Sequence, residues 1–409
     1  MHYKRREFLR TIGAGTAVLT FGGQVPLALG ASAVQTRSSR ILVVVELQGG
    51  NDGLNTLIPA NNDLYKRLRP TLAVRPEDVL PVAQGLGFHG ALRGFADLLE
   101  SGRLSVIQGV GYPDPNRSHF EAMDIWHTCQ RKEETRTDGW LGRWLEETNG
   151  AGETDPRALH IGTDKLPFAL MSRTVRVPSV HSLEQFRLQG SEDPGFREAI
   201  ETLTDTDRPT QDDLLSFVQS STSSALAASE RLTTAASAKA SSVVWPASPL
   251  AGQLQTISRL IRSDLNTSVY YVTHGGFDTH AQQPDAHRGL LRQLADSIKA
   301  FLDELQESGH QERVVVLCFS EFGRRVEQNA SDGTDHGTAG PVFLAGAGLQ
   351  PGLIGTAPRL DDLQDGDLKH TADFREVYSA IAEHWFSVPS ERILKGVWKP
   401  VNVFQTNSG

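Results

Sequence analysis

The sequence predicts an α/β fold, a mostly parallel sheet covered by helices on both faces. Three observations predict it. Within residues 40–47 and 313–319 lie unbroken apolar runs, Ile41-Leu42-Val43-Val44-Val45 and Val314-Val315-Val316-Leu317-Cys318-Phe319. Such runs suit strands buried on both sides, where a half-exposed strand would alternate. Between the runs lie segments of helical spacing; residues 285–307 place Leu290, Leu291, Leu294, Ile298, Phe301, Leu302 and Leu305 on one face. The apolar runs end in acid, glycine and histidine, and open α/β sheets bind ligands beyond the carboxyl ends of their strands. A length of 409 residues permits one large domain of this kind or two smaller ones, and 39% hydrophobic content is ordinary for a globular protein.

The first 33 residues read as an export segment. Lys4-Arg5-Arg6-Glu7-Phe8-Leu9-Arg10 precedes a weakly apolar stretch broken by Gly13, Gly15, Gly22, Gly23 and Pro26, and Ala31-Ser32-Ala33 offers a small-residue cleavage site. A basic first helix is the rival reading, but its glycines would cost roughly 1 kcal/mol each. The paired arginines followed by Phe-Leu resemble a twin-arginine signal, which carries folded proteins to the periplasm or beyond. Replacing Arg5 and Arg6 by Lys is expected to hold the precursor in the cytoplasm on fractionation; normal processing of that variant sinks the assignment. Residues 34–409 form the expected body. It carries 36 Lys and Arg against 48 Asp and Glu, a formal charge of −12 compared with −9 for the whole chain. That balance leaves no basic footprint for nucleic acid or an anionic membrane. No other apolar stretch approaches the 18 residues a spanning helix needs. Two cysteines, Cys129 and Cys318, make no disulfide framework; a bridge and two buried thiols both remain open, and without a CxxC pair a thiolate zinc site is excluded.

In chain order, the strand at 40–47 ends in Gln48-Gly49-Gly50-Asn51-Asp52-Gly53, whose glycines permit positive φ and present an acid at the strand end. Residues 61–74 read as a short helix or loop, 91–101 as a helix, and 104–108 as a second strand. Pro113 and Pro115 disfavour helix before Asn116, so Asn116 or Ser118 caps the next helix, through Ala122, Ile125, Trp126 and Cys129. A hydroxyl there also meets free N–H groups and the positive end of a dipole, a setting that welcomes a phosphoryl or sulfuryl group. Residues 139–145 read as a helix packing Trp140 and Trp144, and 157–162 as a short strand. Residues 182–249 change character, rich in Ser, Thr and Ala, and read as a helical insertion. An amphipathic helix at 250–265, a strand at 269–273 and the long helix at 285–307 follow. A strand at 341–346 and a last helix from Thr371 to Phe386, capped by Thr371 or Asp373, complete the body.

Four strand ends therefore carry polar clusters: Asp52; Ser118 with His119; Asp278 with His280; and Glu321 with Asp335 and His336. Asp278 and His280 stand two apart, which puts both on one face of an extended segment. Gly337 lets the backbone come close to a bound group. Mixed oxygen and imidazole ligation favours zinc or manganese over calcium. Glu321 and Arg324 read either as a site pair or as a structural ion pair.

The motifs resemble a known family. Gly49-Gly50-Asn51-Asp52-Gly53, Arg117-Ser118-His119-Phe120, Gly275-Gly276-Phe277-Asp278-Thr279-His280, Ser320-Glu321-Phe322-Gly323-Arg324, Thr334-Asp335-His336-Gly337 and Asp373-Phe374-Arg375-Glu376-Val377-Tyr378 look like the exported bacterial family called domain of unknown function 1501. Their order is similar to that of the alkaline phosphatase/sulfatase superfamily. The resemblance implies an alkaline phosphatase-like three-layer sandwich holding one or two divalent metals, zinc or manganese. Carried over, it makes Asp52, Ser118, Asp335 and His336 ligands of one ion and Asp278 and His280 ligands of a second, with His370 a further candidate. Ser118 becomes the nucleophile, with Glu321 and Arg324 beside it. Two departures stand out. One residue, where the superfamily has three, separates Asp278 from His280, and no Cys/Ser-x-Pro-x-Arg signature for formylglycine occurs. Two functions follow as expectations: an exported metal-dependent hydrolase of phosphate or sulfate esters, acting on a small anionic ester or a sulfated or phosphorylated polymer; or a non-catalytic binding or assembly protein of the envelope with a vestigial site.

Overall fold

The aliphatic runs become the centre of one large sheet. The computed structural model describes residues 40–148, 155–180, 241–263 and 265–405. The export segment expected at 1–33 lies outside these residues, as does the expected helical insertion up to residue 240.

The first strand, β1 (Ile41–Gln48), alternates its side chains between two cores. Ile41, Val43, Val45 and Leu47 face one layer, and Leu42 and Val44 the other. After it come β2 (Leu57–Ile58), α1 (Asp63–Leu68), β3 (Val79–Ala83), β4 (Leu86–His89), α2 (Arg93–Glu100) and β5 (Leu104–Gly111). Strands β2, β4 and β3 form a small antiparallel sheet to one side; the sequence reading placed no strands there. The chain continues through α3 (His119–Thr128), α4 (Trp140–Thr148), β6 (Ala158–Ile161), β7 (Ser179–Val180), α5 (Pro249–Arg262), β8 (Val269–Gly275), α6 (Gln283–Glu307) and β9 (Val314–Phe319). It closes with β10 (Gly340–Gly346), β11 (Gly352–Ile354), the hairpin β12 (Leu363–Gln364) and β13 (Asp367–Leu368), β14 (Ala372–Asp373), α7 (Phe374–Ala380) and α8 (Glu391–Leu394).

The main sheet runs β11-β5-β10-β9-β1-β8-β6-β7, with β14 against β5. Pairings are parallel except where β10 meets β5 and β9. One face is covered by α2, α5 and α6, the other by α3, α4 and α7. The fold is thus the mixed α/β sandwich expected, with β1 in the middle because it is apolar on both faces.

Local chemistry sets the ends of the elements. Asp373 caps α7 by accepting from the Arg375 N–H at 3.0 Å, and Glu376 returns a bond to the Asp373 N–H at 3.2 Å, a capping box. The last helix, expected from Thr371 to Phe386, begins at Phe374 and continues beyond α7 as a wider π turn over Ile381–Trp385. Cys129 closes α3 in the left-handed region at φ 59°. Both cysteines are buried free thiols, and burial pushes the Cys129 thiol up to about 12.

Candidate metal centre

The centre is built where β1, β8 and β9 end. Gly49 follows β1 at φ 120°, and a Cβ there would meet the Asp278 backbone nitrogen at 2.3 Å. Glycine therefore lets the loop after β1 lie against the loop after β8. Glu321, just past β9 and fully buried, binds this turn. Its Oε1 accepts from Gly49 N at 2.9 Å, and its Oε2 accepts from Gly50 N at 3.2 Å and from the Ser320 hydroxyl at 2.9 Å.

Arg324 is the second tie. Its guanidinium donates to the carbonyls of Gly49, Gly50 (2.7 Å), Phe277 (3.0 Å) and Thr334 (2.8 Å), and to Asp278 Oδ1 at 2.6 Å. Every nitrogen is engaged and the side chain is inaccessible, so Arg324 holds the loops in place from beneath the site. The segment it belongs to bridges antiparallel to residues 335–337: Arg325 N donates to Asp335 O and Gly337 N to Gly323 O, both at 2.9 Å. A Cβ on Gly337 would strike the Arg324 carbonyl carbon at 2.5 Å. The close approach seen at Gly337 is to this backbone.

Three imidazoles converge on Asp278. Nε2 of His280 lies 3.0 Å from Asp278 Oδ1, that of His336 3.2 Å and that of His119 3.4 Å; Nε2 of His280 and His336 are 2.9 Å apart. Each ring holds an acceptor on its other nitrogen. His119 Nδ1 meets Glu321 Oε1 at 2.8 Å, His336 Nδ1 the Arg117 carbonyl at 2.7 Å, and His280 Nδ1 Asp335 Oδ1 at 3.2 Å. A carbonyl can only accept, so His336 carries its proton on Nδ1; the carboxylates favour the same tautomer in the other two rings. Three Nε2 lone pairs are then left facing one another and a carboxylate. His119 Nε2 is buried and makes no aligned hydrogen bond; Asp278 lies within ion-pair distance but off axis.

Such a set fits a cation. Zinc–nitrogen bonds of about 2.0–2.1 Å imply a tetrahedral edge of about 3.3–3.4 Å; the three contacts to Asp278, at 3.0, 3.2 and 3.4 Å, lie close to it, and the His280–His336 contact at 2.9 Å is shorter. Ligand atoms of His119, Asp278 and His336 all lie within 4.8 Å of one another, and His280 reaches two of the three. Imidazoles held through Nδ1 by carboxylate or carbonyl are the usual outer support of a metal site. Burial raises the Asp278 carboxyl, but the hydrogen bond and charge of Arg324, with His336, hold it down at about 2. The Glu321 hydrogen bond raises His119 against the opposing effect of burial. About half of the Asp278 and His280 side chains is exposed, so the cluster opens to solvent.

The structure groups the expected residues differently from the sequence. It brings together Asp278, His280 and His336, with Asp335, Glu321 and Arg324 around them, and adds His119. It leaves out three. Asp52 is buried against Arg69 at 2.6 Å and Gln283 at 2.5 Å; burial raises its carboxyl, yet Arg69 wins and holds it below the ordinary range. Ser118 is exposed at the N-cap of α3, and its hydroxyl makes no cap bond. His370 lines a separate cleft of about 500 Å³ with Tyr112, Arg117 and Asp367. The expected division into one ion on Asp52, Ser118, Asp335 and His336 and a second on Asp278 and His280 is therefore not how these side chains lie; Asp335 sits behind His280, and among the described residues there is one cluster. His119 was visible in the sequence only as the neighbour of Ser118.

A family model described as "Protein of unknown function (DUF1501)" matches residues 107–386, more than half of the chain. The chain belongs to this family. No curated protein matches it. Among solved structures, this DUF1501 chain is similar to the lipoteichoic acid synthase LtaP from Listeria monocytogenes, at 10% identity and a TM-score of 0.38, over 90% of this chain and 77% of that one. The C-terminal periplasmic domain of EcEptC from Escherichia coli, in complex with Zn, matches at 8% identity and 0.37, over 75% and 73%. The PsFucS1 sulfatase from Pseudoalteromonas sp. matches at 10% identity and 0.35, over 90% and 74%. Likeness at that level decides nothing about the chemistry of this DUF1501 chain.

Proposed function

We propose that the protein is an exported, metal-dependent hydrolase of phosphate or sulfate esters. The observation that carries this reading is the set of three histidines, each with Nδ1 held by an acceptor and Nε2 turned toward Asp278 at the open end of the sheet. His119, Asp278, His280 and His336 would hold the ion. Bound there, a divalent metal such as zinc or manganese supplies Lewis acidity, favouring an ionised hydroxyl and offsetting charge on the ester oxygens.

The chain's own groups supply the rest. Ser118 lies between two residues that reach the cluster, His119 by its ring and Arg117 by its carbonyl, and its free hydroxyl is the nucleophile of this reading. Its Oγ forms a bond to phosphorus or sulfur while the bond to the ester oxygen breaks; the hydroxyl proton passes to solvent, the departing oxygen takes a proton from water, and a water molecule then attacks the seryl ester, freeing Ser118 and phosphate or sulfate. The cleft of about 500 Å³ shares Arg117 with the cluster and carries Lys369 and His370, which suits the body of a small anionic ester or of a sulfated or phosphorylated polymer.

A second reading is favoured by one specific observation. Asp52 is locked by Arg69, so part of the ligand set implied by the superfamily is committed elsewhere. That suits a metal-holding binding or assembly protein without turnover. The mature protein, assayed with aryl phosphate mono- and diesters and sulfate esters plus zinc or manganese, separates the two. We expect cleavage of one class, lost by orders of magnitude in Ser118→Ala. Melting should hardly move, because no cap bond is lost. Equal cleavage by Ser118→Ala removes the serine from the chemistry, and metal binding without any cleavage favours the second reading.

A further inference from the structure

A cleft of about 720 Å³ shares no lining residue with the metal cluster. Its walls are residues 71–78, the turn at 89–91 and the first turns of α6. That volume is typical of small-molecule sites, which combine apolar walls with a few convergent polar groups. Leu72, Val74, Leu80 and Pro284 supply the apolar part.

Two imidazoles supply the polar part. His287 is 2% exposed, and burial lowers its pKa to about 4, so the ring is neutral. Its Nε2 lies 3.0 Å from Asn51 Oδ1 and carries the proton; among the described residues no partner reaches Nδ1. A bare acceptor therefore belongs to a buried ring that lines the cleft. His89 accepts from the Ala91 N–H through Nδ1 at 3.0 Å, which leaves its Nε2–H as a donor without a partner among the described residues.

The rim is cationic. Arg288 and Arg292 stand one turn apart on α6, the spacing that aligns side chains. Arg288 lies 3.2 Å from the exposed Asp285, and Arg292 makes no ion pair within 4.0 Å among the described residues, though its charge reaches Asp296 one turn on. The acids of the cleft, Glu77 and Asp78, both lie against Arg75, at 3.5 and 2.8 Å. Burial first lowers the pKa of His89; Arg288 and Arg292 add to that, against Asp78.

We infer that this cleft binds a small amphiphilic oxyanion, its charged head on Arg288 and Arg292 and its short apolar body over Leu72, Val74 and Leu80. The inference does not depend on the metal reading. The two regions meet at Gln283, which lines the cleft and whose Oε1 accepts from Thr279 and Thr334, chain neighbours of His280 and Asp335.

Calorimetry on the mature protein tests it with hexanesulfonate and hexanoate as probes, against hexanol and inorganic sulfate. Both amphiphilic anions should bind at one site, about tenfold tighter than either control. Arg288→Ala combined with Arg292→Ala changes two exposed positions and should weaken them by about tenfold while leaving hexanol unaffected. His336→Ala should leave this binding intact. The inference is overturned if the anions bind no better than the controls, if the arginine pair makes no difference, or if binding disappears with His336.

Discussion

His336→Ala is expected to leave the purified protein without metal. Elemental analysis of wild type should give about one zinc or manganese per chain, and the variant should fall to background, because removing one of four converging donors cripples a site that depends on all of them. The Nε2 of His336 contacts both Asp278 Oδ1 and His280 Nε2, so its loss opens the cluster at its centre. Glu321→Gln provides the graded companion. It keeps the shape but weakens the acceptor on His119 Nδ1, and changes behind a ligand of this kind lower metal affinity by about 10–100-fold. Competition with a coloured chelator reads that difference. Equal metal in all three proteins, or none in any, removes the metal assignment.

Arg324→Ala is expected to give the largest loss of stability from a single change at the site. It strips hydrogen bonds from four carbonyls and leaves Asp278 without its guanidinium partner. Leaving several buried carbonyls without a donor costs about 3–5 kcal/mol, the tie to the half-exposed Asp278 adds little, and in a domain of this size the loss lowers Tm by about 5 °C. Arg324→Lys should rescue little, since one ammonium cannot reproduce the planar fork that reaches carbonyls on three loops. Thermal unfolding followed by circular dichroism checks both variants; a Tshift of only a degree or two for Arg324→Ala would mean the loops are held by other contacts.

Much of this was legible in the sequence. Unbroken aliphatic runs identified β1 and β9, and the polar residues after β8 and β9 became the body of the cluster. The i, i+2 spacing of Asp278 and His280 does put both side chains on one side, 3.0 Å apart. What stayed hidden depended on rotation and on distant partners. Successive residues at a helix start point in directions about 100° apart, so the choice between Ser118 and His119 was a choice of rotation, and the ring took the inward one. Asp52 ends a buried strand as a ligand would. Arg69, in a run of Lys66-Arg67-Leu68-Arg69, resembles a solvated charged face, yet it is buried and neutralises that acid. Neither burial nor pairing leaves a periodic trace. The same applies to β2, β3 and β4, whose segments are short and interrupted by Pro and Gly.

The central position of β1 also governs assembly. Its neighbours are residues 269–275 and 314–319, in registers such as Leu42 with Val269 and Val43 with Val316. The earliest strand of the body therefore has no partner until most of the chain has left the ribosome. High contact order of this kind makes folding slow and post-translational. Asp278, His280 and His336 lie in the loops beyond β8 and β9, so on the proposed metal reading no fragment that ends before β9 would hold the ion, and loading would await the finished sheet.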